Sequence, residues 1–123
     1  MSKYLDKWKR PKTANTRVID IYMAGSYTDA RRVCGEYCAQ QGYCFSIVKT
    51  DYAHGCEDEV MGYRIEAGIK VTLINYPRFP EEHDDMENRA IIIAKSIARV
   101  NDQGSFTIAS NKLSKFYSRR KDD

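Results

Sequence analysis

Residues 53–60, AHGCEDEV, lie between two stretches of strand character, YCFSIVKTDY (43–52) and MGYRIEAGIKVTLINY (61–76). A doubly wound α/β fold would need a helix here, because a crossover between parallel strands takes a dozen or more residues. Eight residues containing Gly55 and the run Glu57-Asp58-Glu59 are too few. The segment therefore reads as a loop with an acidic edge. The second stretch has a break near Gly68, so it reads as a hairpin or as one bulged strand.

Working towards the N-terminus, RVIDIYMA (17–24) alternates strictly. Ile19, Ile21 and Met23 point one way, and Val18, Asp20 and Tyr22 the other, as in a strand. Gly25 ends it. Ser26 followed by Asp29 has the spacing of a capping box. Ala30, Val33, Cys34, Tyr37 and Cys38 then recur at helical offsets, and Gly42 stands at the expected C′ position. Working towards the C-terminus, Pro80 and the acidic EEHDDMEN suit a helix start. The stripe Met86, Ala90, Ile93, Ala94 and Ile97 runs to a stop at Gly104. SFTIAS (105–110) is a last strand. In the tail, Leu113, Phe116 and Tyr117 are spaced for a short helix.

The order is β-α-β-β-α-β, a ferredoxin-like split βαβ in the α+β class. It predicts an antiparallel sheet with both helices on one face and a short C-terminal helix. The 123 residues fit one compact domain. The expected division is a basic arm over 1–16, one domain over 17–110 and a basic tail over 111–123. The arm carries five Lys and Arg against Asp6, and the tail five against two Asp, so the net charge of +3 hides an acidic body. No stretch approaches the roughly 20 apolar residues of a membrane helix. The opening residues lack the apolar run of a secretory signal, so a cytoplasmic protein without a membrane partner is expected.

Three cysteines in RRVCGEYCAQQGYC (31–44) raise the question of metal. Cys34, Cys38, Cys44, His54 and Cys56 are soft ligands, but the C-x₂-C knuckle is absent. Cys34 and Cys38 fall on the core stripe of the helix, as free cysteines often do. No metal and no cofactor is expected. The carboxylates at 81–87 are accounted for by the helix dipole, and no catalytic triad signature is present.

Two binding sites suggest themselves. In IYMAGSYTDARR, Gly25 and Ser26 precede a helix N-terminus, with Arg31 beyond, an arrangement able to hold an anion. Tyr22 on the first strand resembles the stacking ring of RNA-recognition motifs, although VTLINY lacks the glycine and aromatic pattern of their second signature. The strand-Ala-Gly opening also resembles nucleoside deoxyribosyltransferases over that stretch alone. The second site is YPRFP (76–80), which presents Tyr76, Arg78 and Phe79 on a proline-stiffened loop suited to a protein contact.

The combination AGSYTDARRVCGEYC…YC…GIKVTLINYPRFP resembles small phage-encoded accessory proteins without assigned activity. That resemblance implies action by binding a host or defence component. The leading expectation is thus a non-enzymatic binding protein, an inhibitor in kind, contacting a protein partner through Tyr76, Arg78 and Phe79. The first alternative is a nucleic-acid-binding domain using Tyr22. The second is a small nucleotide- or metal-dependent enzyme around Gly25, Ser26 and Arg31, with His54. The uncovered sheet face (Val18, Tyr22, Ile74, Tyr76) offers a surface for a homodimer.

Overall fold

The computed structural model describes residues 8–121. The elements run β1 (Val18–Ala24), α1 (Tyr27–Gln41), β2 (Ser46–Gly55), β3 (Tyr63–Ile74), α2 (His83–Asn101), β4 (Ser105–Ser110) and β5 (Ser114–Ser118). The strands form one antiparallel sheet in the order β2-β3-β1-β4-β5. The first four strands follow the ferredoxin-like pattern, and both helices cover the same face. Residues 1–7, including Tyr4 and Leu5 of the expected arm, lie outside the described part. Residues 8–17 have no regular structure.

β1 is central. It pairs with β3 from Val18↔Ile74 to Ala24↔Gly68, and with β4 from Ile19↔Ser110 to Tyr22↔Thr107. Its odd-numbered residues Ile19, Ile21 and Met23 are buried under the helices. Ile69, Val71 and Leu73 of β3 join them, as do Phe106 and Ile108 of β4. α1 contributes Ala30, Val33 and Cys34, and α2 the stripe Met86, Ala90, Ile93, Ala94 and Ile97. Removing this apolar surface from water is the main stabilising term.

The ends of α1 are those read from its sequence. Ser26 Oγ accepts the Asp29 N–H at 3.2 Å, and Gly42 closes the helix at φ 61°. α2 differs at both ends. It begins at His83, because the preceding segment is held out of the helix: Asn75 Oδ1 accepts the Glu81 N–H, and Arg17 donates to the Glu81 carbonyl. It ends at Asp102, which takes the left-handed conformation at φ 53°, so the stop comes before Gly104. Aspartate is one of the few side chains that tolerate this region.

Two further expectations are corrected. β2 and β3 form a single long hairpin joined by the loop 56–62, with pairing out to Gly55↔Tyr63. Residues 53–55, read as loop, are therefore strand. The expected short C-terminal helix is strand β5. The spacing of Phe116 and Tyr117 fits a strand equally well, and the free edge of β4 supplies unsatisfied backbone groups to pair with. Tyr117 stacks on its cross-strand partner Phe106 with ring centroids 5.1 Å apart. Lys115 pairs with Glu87, tying β5 to α2, and Glu87 also meets His83 at 3.1 Å.

Gly68 sits where the long hairpin leaves the sheet. A Cβ there would lie 2.3 Å from the Tyr52 ring and 2.6 Å from the Met23 carbonyl oxygen. Gly68→Ala is expected to lower stability by about 1–3 kcal/mol, the usual cost of overpacking, read as a shift in a urea unfolding midpoint. A second expectation concerns Glu87. The Lys115 ammonium holds its carboxyl below the ordinary value, despite an opposing desolvation effect. Its contribution is present above the unfolded value and is lost as pH falls through the folded one. Stability of the native chain should therefore fall more steeply below about pH 4.3 than that of Glu87→Gln.

Candidate functional site

Alternation places a defined set of side chains on the sheet face that no helix covers. β1 supplies Asp20 and Tyr22, β3 supplies Glu66, Lys70 and Thr72, and β2 supplies Tyr52 and His54. β4 and β5 add Thr107 and Phe116, which lie directly opposite each other. Over this face lies a groove of about 560 Å³ lined by Tyr22, Tyr52, His54, Glu66, Phe116 and Arg120 among others. Clefts of this size, with aromatic walls and a few polar groups, are typical small-molecule sites.

The groove wall is held by specific contacts. The Tyr52 hydroxyl donates to the Ile69 carbonyl at 2.6 Å, which lays its ring across Gly68. His54 Nε2 stands 3.4 Å from Glu66 Oε2, with both side chains partly open to solvent. Lys70 Nζ lies 5.8 Å from the centre of the Tyr22 ring, within cation–π range. Thr72 Oγ1 donates to Asp20 at 2.6 Å. The groove thus combines the open-face rings of Tyr22, Tyr52 and Phe116 with one half-exposed carboxylate and a neighbouring imidazole.

The residues of the expected nucleic-acid and anion sites lie in two places. Tyr22 lines the groove. Gly25, Ser26 and Arg31 lie around the N-terminus of α1. There the Ser26 N–H donates to Asn101 Oδ1 of α2 at 3.3 Å, so one of the backbone donors is taken. Gly25 has φ 132°, and a Cβ on it would come within 2.8 Å of the Asn101 amide. Arg31 is exposed. On the face itself β3 presents Lys70, Thr72 and Ile74, with no ring where an RNA-recognition motif stacks its second base.

The YPRFP loop packs largely inwards. Tyr76, Phe79 and Tyr43 form a ring cluster with centroids 5.2–6.2 Å apart. Arg89 covers Tyr43 at 4.1 Å while donating to Glu81 through Nε and Nη2 and to the Tyr37 hydroxyl through Nη1. Burial is the main reason the Tyr43 hydroxyl titrates well above its ordinary value. Of the three expected contact residues only Arg78 is exposed; Tyr76 and Phe79 are half-buried.

The cysteines are free thiols, and no grouping of three metal-ligating side chains occurs among the described residues. Cys34 is buried, and Cys44 is exposed beside Tyr76. No helix among the described residues is long and apolar enough to cross a membrane.

No family model and no curated protein matches the chain. Two solved structures share its fold. One is a phage SAM lyase in complex with S-methyl-5'-thioadenosine, at a TM-score of 0.66 and 12% identity, covering 91% of this chain and 96% of that one. The other is a phage SAM lyase in its apo state, at a TM-score of 0.61 and 13% identity, covering 83% and 86%. At such identity the likeness establishes the fold. Both neighbours are phage proteins, in keeping with the resemblance read from the sequence. They are also enzymes, and this overturns the expectation of a non-enzymatic binder.

The sequence reading found Tyr22 and His54 but missed Tyr52, Glu66 and Phe116. Tyr52 and Glu66 were within reach, because counting in twos along an uninterrupted hairpin puts them on the Tyr22 face. Phe116 was hidden by the helical reading of the tail. Burial, with a smaller effect of Cys38, pushes the Cys34 thiol up to about 12. Brief alkylation near pH 8 followed by peptide mass mapping should therefore modify Cys44 and spare Cys34, because the thiolate is the reactive form.

Proposed function

We propose that the chain is a small enzyme that cleaves a sulfonium nucleoside of the S-adenosylmethionine type and releases S-methyl-5'-thioadenosine, with the open-face groove as its site. One observation carries this reading. A fold shared almost end to end with a lyase that binds that thioether nucleoside coincides here with a groove whose side chains suit the same chemistry.

Tyr22 and Phe116 offer π faces for adenine and for a sulfonium cation. Glu66, oriented by His54, supplies a carboxylate for the ammonium of the methionyl arm. Arg120 in the lining, with Lys70 beside the Tyr22 ring, provides cationic charge for the arm's carboxylate. A lyase reaction needs no water. The substrate's carboxylate oxygen bonds to Cγ as the Cγ–S bond breaks, and the bonding pair stays on sulfur. The products are a neutral thioether and a four-carbon lactone that keeps its ammonium. Opposite charges merge in this transition state, so a groove that sheds water favours it. The protein's part is then to hold the arm curled, with nucleophile and leaving group aligned.

Incubation with S-adenosylmethionine followed by chromatography and mass analysis should yield S-methyl-5'-thioadenosine. Glu66→Gln is expected to lower kcat/KM by about 100-fold or more. Tyr22→Ala should raise KM. A native chain that leaves saturating S-adenosylmethionine intact, or a fully active Glu66→Gln, would sink the reading.

A further inference from the structure

The β2–β3 hairpin projects past the sheet, because β1 ends opposite Gly68. Its tip is preorganised. The Cys56 N–H donates to the Gly62 carbonyl, Glu59 to Cys56 and Gly62 to Glu59, at 2.9–3.2 Å. On this tip Val60 is fully exposed and Met61 is 71% exposed, beside the carboxylates of Glu57, Asp58 and Glu59. Among the described residues, none covers these two large apolar side chains on the acidic tip.

A surface of opposite character lies across the sheet. Between the C-terminal half of α2 and strands β4 and β5 is a cavity of about 360 Å³. Ala98 and the stacked pair Phe106 and Tyr117 supply its apolar lining, and Lys95, Arg99 and Arg119 its cations. Arg119 is fastened at the rim by donating to the Ala98 and Gln103 carbonyls, and it lies 3.8 Å from the exposed Asp102 carboxylate. Three carboxylates around two apolar side chains face the complement of three cations around an apolar cavity. The two cannot meet within one molecule, because the hairpin and the cavity are three strand spacings apart, about 14 Å.

We propose that the hairpin tip of one copy docks in the α2–β4–β5 cavity of a second copy. Val60 and Met61 enter against Phe106 and Tyr117, and Glu57, Asp58 and Glu59 face Lys95, Arg99 and Arg119. The preformed tip loses little freedom on docking, and the opposed charges set partner and register. Reciprocal insertion closes a dimer; head-to-tail insertion closes a ring. This interface stands independently of the proposed reaction.

Light scattering after size exclusion, at low salt, tests it. The native chain should run as a multiple of its 14.2 kDa mass. Replacing Glu57, Asp58 and Glu59 together by Lys should give a monomer, and so should Lys95→Glu with Arg99→Glu. Both sets combined in one chain should restore the native multiple, because the charges are exchanged rather than lost. Val60→Asp should also dissociate it without altering the circular dichroism spectrum. A native chain that is monomeric at all concentrations would overturn the proposal. So would an oligomer that survives the tip exchange, or a combined variant that stays monomeric while folded.

Discussion

The pairing of β1 on both its edges holds the rest in place. Val18–Ala24 bonds to β3 on one side and β4 on the other, so its backbone is satisfied along both ladders. The alternation of its side chains then has two consequences at once. Ile19 and Ile21 lie wholly under the helices, and Asp20 and Tyr22 stand on the open face. A slip of one residue would exchange these sets, exposing two isoleucines and burying a carboxylate. Core and groove are therefore two faces of one register, and neither can drift while the other is kept.

The groove depends on a local exception within that frame. β2 and β3 run on together beyond the end of β1, and Gly68 marks the point of departure. With no side chain at Gly68, Tyr52 lies flat across it and reaches the Ile69 carbonyl. The Tyr52 ring closes one wall beside the His54–Glu66 pair. The opposite wall comes from β5, held to the sheet by the Phe106–Tyr117 stack and to α2 by the Lys115–Glu87 pair. The same hairpin extension that forms the wall also carries the acidic tip out into solvent. One feature thus shapes the groove and frees the surface proposed to dock on a second copy.

Two regions that drew attention in the sequence have structural roles. The cysteine-rich segment is mostly α1, with Cys34 in the core, Cys38 half-buried and Cys44 exposed beyond the helix. The YPRFP loop packs inwards through the Tyr43–Tyr76–Phe79 cluster, capped by Arg89. Aromatic and arginine side chains serve interfaces and interiors for the same reason: each buries much area while satisfying its polar atoms. Sequence alone does not separate these uses, because the deciding partner, here Arg89 and Glu81, comes from another element.

The order of elements, the faces of β1 and α2 and the caps of α1 were legible by themselves. Each is set by interactions within a few residues: period two in Val18–Ala24, helical spacing from Met86 to Ile97, the Ser26 hydroxyl and the left-handed Gly42. Other features were not local. Whether Ser114–Ser118 became helix or strand was decided by the free edge of β4, and the start of α2 by Asn75 and Arg17. The convergence of Tyr22, Tyr52, Glu66 and Phe116 was likewise tertiary, since it joins strands up to 94 positions apart in sequence. Local periodicity determines which way a side chain points along its own strand. Only the pairing of strands determines what it points beside.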